Sequence, residues 1–201
     1  MARASLCIAT GNAHKLAEIA LALADLPLVL VSSNDIAQPP HVEEDGATYA
    51  ANASKKALAY LAASGLPSLA DDSGLEVDAL DGAPGVHSHR YGGADLPFAA
   101  KIARLLAALE AASPQSRSAR FRCAVALATS DGGVVVEEAA CEGSILTAPR
   151  GAAGFGYDPV FYFPPLGKTF AEIASEVKLP VSHRGLALAK LRPALAALAA
   201  R

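Results

Sequence analysis

Two adjacent carboxylates, Asp71 and Asp72, follow the apolar run Ser68-Leu69-Ala70 and lead at once into Ser73 and Gly74. A hard divalent cation takes anionic oxygen ligands and keeps several waters, so one or two carboxylates suffice to hold it beside a phosphate. The small Ser-Gly step lets hydroxyl and backbone approach a ligand closely. Together these features point to metal-assisted phosphate chemistry. The alternative is a solvated strand end, which is disfavoured because neighbouring charges repel unless something positive offsets them. Side chains alternate along a strand, so one member of the pair is expected to face the site.

Other segments can serve the same chemistry. Thr10-Gly11-Asn12-Ala13-His14-Lys15 lies between an apolar strand and a helical pattern. That position offers backbone N–H groups and the positive end of a helix dipole to a phosphate, with Lys15 as a point charge. An ordinary turn capped by Asn12 reads equally well. Glu43 and Glu44 precede the second helix. They either complement its dipole or lend Glu44 to the cation of Asp72. Gly154-Phe155-Gly156-Tyr157-Asp158-Pro159 sets an aromatic ring between two glycines, which suits either a planar base or core packing.

Lys178 and Arg184 are cations suited to an oligophosphate, and His183 can hydrogen-bond a base edge. Surface charges around a helix start are the plainer account. His87 and His89 lack a third ligand nearby and read as a polar loop rather than a zinc site. Arg90 beside them can touch phosphate. Gly167-Lys168-Thr169 imitates the end of a P-loop, but Tyr162 stands where its first glycine belongs.

The elements that must position these residues read as follows. Strands are expected at 6–9, 28–31, 68–70, 75–80 and 160–163, and helices at 14–25, 48–63, 96–112 and 182–200. Pro193 is expected to kink or break the last helix. Asp131-Gly132-Gly133 marks a hairpin between strands at 120–128 and 133–141. Strands mixed with helices, some in hairpins, imply an α/β fold with a mixed sheet.

Composition sets the outer bounds. With 201 residues, 52% apolar and 18% charged, the chain can bury a sizeable core and reads as one domain over residues 1–201. Its net charge of −3 offers no broad basic field for a long nucleic acid. The longest greasy stretch, Ile19 to Val31, is broken by Asp25 and Pro27 and is too short for a bilayer span, and the short apolar run after Arg3 into Thr10-Gly11-Asn12 does not read as a secretory signal. Cys7, Cys123 and Cys141 are odd in number and far apart, as expected of reduced thiols in the cytoplasm.

Taken in order, the motifs resemble one family. Thr10-Gly11-Asn12 with Lys15 and Glu18, Ala70 to Leu75, Gly82-Ala83-Pro84-Gly85 with Arg90-Tyr91, Gly154 to Pro159 and Ser182-His183-Arg184-Gly185 look like the inosine triphosphate pyrophosphatases of the Ham1 type. The resemblance implies hydrolysis of ITP, dITP and XTP to monophosphate and pyrophosphate, with Mg²⁺ as cofactor. It also implies a homodimer and an elongated mixed sheet flanked by helices, in two lobes with a central cleft.

Carried over by position, the resemblance makes Asp72 the catalytic carboxylate and metal ligand, with Glu44 as its metal partner. Thr10, Gly11, Asn12, Ala13, His14 and Lys15 match the triphosphate loop, and Ser73 a substrate contact. Phe155, Gly156, Tyr157, Asp158, Lys178, His183 and Arg184 match the nucleotide pocket. The apolar Phe98-Ala99-Ala100 departs from the polar helix of some members. The competing readings are a Maf-like pyrophosphatase acting on other nucleotides and a catalytically silent nucleotide-binding module.

Overall fold

A computed structural model of the chain describes residues 3–110 and 117–200. Seven strands form one mixed sheet in the order β2-β1-β3-β4-β5-β6-β7, with β1 Ala4–Ile8, β2 Leu28–Ser32, β3 Ser68–Val77, β4 Ser118–Ala128, β5 Val134–Ile145, β6 Phe161–Phe163 and β7 Lys168–Thr169. The helices are α1 Ala13–Ala22, α2 Tyr49–Ser64, α3 Phe98–Ala108, α4 Ser175–Lys178 and α5 His183–Ala199. By contacts the chain divides into two compact units. One comprises residues 1–72, 123–139 and 183–201, the other residues 73–122 and 140–182.

The first unit is built on parallel pairing. β1 lies between β2 and β3 and runs parallel to both. Parallel neighbours need a crossover, and α1 and α2 supply the two that are required. Asn12 caps α1, its Oδ1 accepting from the amides of His14 at 2.9 Å and Lys15 at 3.3 Å. Thr48 caps α2 through the Ala51 amide, and Gly65 ends it in the left-handed conformation that a side chain would resist. Leu6, Ile8, Ile19, Leu69, Val125, Leu188, Leu191 and Leu195 make the core of this unit.

The second unit has its own core of Leu75, Leu105, Phe121, Val160, Phe161 and Phe170 among others. Phe161 sits 4.6 Å from Phe121 and 5.0 Å from Phe170, centroid to centroid, in tilted contacts. β6 pairs antiparallel with both β5 and β7. The expected hairpin is present, and Asp131 Oδ1 accepts from the Gly133 amide within its turn.

Three expectations are corrected. The acidic pair does not close a strand: β3 runs unbroken from Ser68 to Val77, with Asp71, Asp72, Ser73 and Gly74 inside it. Both carboxylates are buried and held by partners distant in sequence, Asp71 by the charges of Lys15 and Arg184 and Asp72 by a hydrogen bond from Asn52. α5 is not broken at Pro193, because Leu188, Leu191, Leu195 and Leu198 bury its apolar face on both sides of the proline. α3 is shorter than expected and ends at Ala108; residues 111 and 112 of the expected helix lie outside the described ones. β7 and α4 had no counterpart in the sequence reading.

Cys7, Cys123 and Cys141 are free thiols, all buried. Burial pushes each thiol up, Cys123 and Cys141 to about 12. A disulfide reagent at pH 8 is therefore expected to label none of the three quickly in the native protein and all three in denaturant. Fast native labelling, followed by absorbance, would contradict the packing.

Candidate active site

The residues singled out by sequence fall into two groups, one within each unit. In the first unit, Ala9 N donates to Leu69 O at 2.8 Å, which sets the carboxyl end of β1 beside the first residues of β3. Open α/β sheets bind ligands at the carboxyl ends of parallel strands, beyond the last paired residue. Thr10 lies just past the end of β1, and Asp71 lies within β3, two residues beyond the last residue that β1 pairs with. Ser33 Oγ donates to Thr10 O at 2.6 Å and steadies the loop from β2's side. The Asn12 amide donates to Thr10 Oγ1 at 3.2 Å. The cap takes up the amides of His14 and Lys15 and leaves those of Gly11 and Ala13 outside it.

Asp71 and Asp72, consecutive in β3, have different partners. Asp71 Oδ2 accepts from Arg184 Nε at 3.1 Å and Nη2 at 2.9 Å, and lies 3.0 Å from Lys15 Nζ. Arg184 also bonds Glu18 on α1 through Nη1. Burial alone would raise the Asp71 pKa, but Lys15, Arg184 and Lys56 outweigh it and hold the carboxyl far below its ordinary range. Burial would likewise lower Arg184, but Asp71, Cys123 and Glu18 together outweigh it and hold the guanidinium above its usual range. Asp71 is therefore a fixed anion that anchors two cations.

Asp72 has the opposite electrostatics. Its Oδ2 accepts from Asn52 Nδ2 at 2.9 Å. Burial, aided by the charge of Glu44, pushes its pKa up, while the Asn52 bond, Lys15 and Lys56 partly restrain it. Lys56 pairs with Glu44. Burial would lower the ammonium of Lys56, but Asp71, Glu44 and Asp72 outweigh it and raise its pKa. One unit thus gathers Asp72 and Glu44, whose negative charges oppose each other, within the field of two ammonium groups.

That donor set fits a divalent cation. Two carboxylates in repulsion gain most from a hard cation, and their oxygens are the ligands it takes. Among the described residues no group of three His, Cys, Asp or Glu side chains gathers to hold a metal. Two carboxylates fit an ion that draws its other ligands from water and phosphate.

In the second unit, Asp158 organises the glycine-rich loop. Its Oδ2 accepts from the Phe155 amide at 2.9 Å and from Lys178 Nζ at 2.6 Å. Lys178 Nζ lies 5.1 Å from the Phe155 ring centre and 5.3 Å from that of Phe170. Gly154 has no room for a side chain: a Cβ would stand 2.1 Å from Asp158 Oδ2, on a backbone with φ +71°. Tyr157 is core, its hydroxyl donating to Ser88 O at 3.1 Å and its ring edge-on to Phe98. Burial pushes that phenol up. Phe155 is half-buried and lies outside the unit's apolar cluster, unlike Tyr157.

The remaining residues are placed as follows. Ser73 and Gly74 continue β3. His183 and Arg184 open α5, both buried. Ser182 Oγ donates to Leu179 O at 3.3 Å. Asn52, Lys56 and Lys101 were missed. Asn52 and Lys56 lie one turn apart on an alanine-rich helix, where polar residues read as a solvated face. Asn52 in fact has no exposed surface. Lys101 is buried and donates to the carbonyls of His89 and Ala94.

An open mixed sheet, with a buried cluster of carboxylates and cations where β1 ends against β3, defines an α/β protein of the nucleotide-handling class. A model of the Ham1 family matches residues 6–194, and the chain belongs to that family. It is 53% identical over 192 residues to a dITP/XTP pyrophosphatase of Syntrophobacter fumaroxidans, covering 96% of this chain and 82% of the relative. A protein of the same name from Geobacter sulfurreducens is 49% identical over 187 residues, covering 93% and 94%.

Among solved structures, a HAM1 protein from Coxiella burnetii superposes with a TM-score of 0.86 at 41% identity, covering 96% of this chain and 98% of that one. A nucleoside-triphosphatase / dITP/XTP pyrophosphatase from Mycobacterium abscessus does so with a TM-score of 0.74 at 43% identity, covering 94% and 99%.

Proposed function

We propose that this chain hydrolyses ITP, dITP and XTP to the nucleoside monophosphate and pyrophosphate, with Mg²⁺ as cofactor. The observation that carries the reading is the electrostatic contrast within β3, where Asp71 is locked to Lys15 and Arg184 while Asp72 lies beside Glu44 with its pKa raised. The names of the relatives support the substrate class.

Asp72 and Glu44 would hold the ion. When bound, it supplies charge neutralisation on the phosphate oxygens and on the departing pyrophosphate. The chain's own residues do the rest. Lys15 and Lys56 set positive charge beside the carboxylates, so an oligophosphate meets a balanced rather than a repelling surface. Asp71 keeps Lys15 in place. Asp72 is also the carboxylate we assign to accept the proton of the attacking water. The loop amides of Gly11 and Ala13 suit phosphate oxygens.

Selectivity is a matter of base edges. Hypoxanthine presents an acceptor at C6 and a donor at N1, and adenine reverses both. A pocket that pairs with the first pattern leaves buried groups unsatisfied by the second, at about 1–3 kcal/mol each. Phe155, Lys178, Asp158 and His183 are the side chains assigned to the nucleotide, with the Phe155 ring as the stacking surface. Phe155→Ala is expected to raise KM for ITP by roughly 10–100-fold, the loss of about 1–3 kcal/mol of base stacking. An unchanged KM in initial-rate measurements would make the ring a packing element.

The deciding assay is pyrophosphate release from ITP, XTP, dITP, GTP, ATP and dTTP, with and without Mg²⁺. Release from the inosine and xanthosine nucleotides alone, and only with the metal, is expected. Preferential release from dTTP would point to Maf-like specificity, and ITP binding without release to a silent module. We further assign the enzyme to the cytoplasm as a homodimer. Its free thiols suit a reducing compartment, and sedimentation tests the dimer. Among the described residues no helix is long and apolar enough to cross a membrane.

A further inference from the structure

Asn52 is the fourth residue of α2 and has no exposed surface. Asparagine is a poor helix former, and a buried amide is costly unless both of its ends are bonded. Both ends are bonded. Oδ1 accepts from the Gly46 amide at 2.7 Å, and Nδ2 donates to Asp72 Oδ2 at 2.9 Å. The partners fix which end is which, because a backbone N–H only donates and a carboxylate only accepts.

Gly46 lies two residues beyond Glu44, and it approaches so closely that a Cβ there would stand 2.6 Å from Asn52 Oδ1. One turn further along α2, Lys56 holds Glu44 itself. A single helix face therefore grips Asp72 directly and grips the Glu44 segment at two points. No other side chain does both jobs of the amide: aspartate cannot donate, leucine can do neither, and glutamine is one methylene too long for a site this close.

We propose that Asn52 is a positioning residue that locks the Asp72 carboxylate to the Glu44 loop, so that the two carboxylates form a preformed cation site. This rests on the reading that Asp72 and Glu44 hold the divalent ion. The partners that orient a metal's ligands typically account for about 10–100-fold in metal affinity or activity. The Asn52 bridge does so for two ligands from separate parts of the chain.

The test compares the full-length wild type with Asn52→Leu, Asn52→Asp and Gly46→Ala. Two quantities are measured: Mg²⁺ affinity by calorimetry without nucleotide, and kcat and KM for ITP at saturating Mg²⁺. Asn52→Leu keeps the volume and removes both bonds. Asn52→Asp keeps the acceptor for Gly46 and loses the donor to Asp72. Gly46→Ala disturbs the bridge from its far end without altering either carboxylate.

All three variants are expected to weaken Mg²⁺ binding, Asn52→Leu by about 10–100-fold. In each, kcat is expected to fall while KM for ITP changes little. If Asn52→Leu does not fold, the other two variants carry the same comparison. Wild-type enzyme that turns over ITP but binds no Mg²⁺ in the calorimeter would sink the cation reading itself. A wild type that binds Mg²⁺, with variants matching it in affinity and kcat, would overturn the positioning role alone.

Discussion

Asp72→Asn is expected to lose roughly 10²–10⁴-fold in kcat, the range a positioned general base supplies, while the protein stays folded. The substitution keeps the shape of the side chain and leaves an oxygen to accept from Asn52 Nδ2. It removes the charge that would bind the cation and accept the proton. Stability should hold or rise, and the sign follows from the environment.

Burial and Glu44 raise the folded pKa of Asp72 above its unfolded value of about 3.9. The folded state therefore binds the extra proton, and its stability falls as pH rises from the unfolded pKa through the folded one. An uncharged amide does not titrate and escapes that loss, so the variant's relative stability grows across the same window. Pyrophosphate release at saturating ITP and Mg²⁺ measures the first effect, and thermal melts at several pH values the second. Near-normal hydrolysis would remove Asp72 from the centre of the reaction.

Much of the scaffold around Asp72 was legible because its signals are local. Thr48 and Gly65 bracket α2, Asn12 opens α1, and Asp131-Gly132-Gly133 turns β4 into β5, all through bonds spanning a few residues. The charged cluster was half legible for the opposite reason. The adjacent acids stood out, but adjacency suggested a strand end, since nothing near them in sequence neutralises two charges. Their partners come from far away: Lys15 precedes the pair by more than fifty residues, and Arg184 follows Asp71 by 113.

Asn52 shows the same limit from the other side. An asparagine in an alanine-rich helix looks solvated until the Gly46 loop and Asp72 are both seen to close over it. Pro193 shows a local rule overridden, because the leucines on either side of it keep α5 packed in the first unit's core. The motif order across the chain carried the family assignment without requiring any of these contacts to be known.

Asp71→Asn, one residue away, is expected to give the reverse phenotype. The variant should be less stable by about 3–5 kcal/mol, the cost of breaking a buried ion pair by removing one partner. Asp71 has no exposed surface, and Arg184, 1% exposed, places two guanidinium nitrogens on its Oδ2. An asparagine oxygen can still accept a bond, but it supplies no charge to Lys15 or Arg184. Glu18 remains for Arg184. Lys15, released from Asp71, remains within the field of Asp72, so the loop at Thr10 to Lys15 should shift as well.

At about 2–4 °C per kcal/mol for a chain of this length, the melting point should drop by roughly 10 °C. Asp71's folded pKa is depressed, so its stabilisation is complete above the unfolded value of about 3.9 and is lost as pH falls toward the folded one. The gap between wild type and variant should therefore be widest at neutral pH and narrow in acid. Urea unfolding at pH 7 and at about pH 2, well below the unfolded pKa, measures both. A gap that stays below about 1 kcal/mol at pH 7, the size of a surface ion pair, would mean that Asp71 does not anchor the two cations and that Lys15 is held by other means.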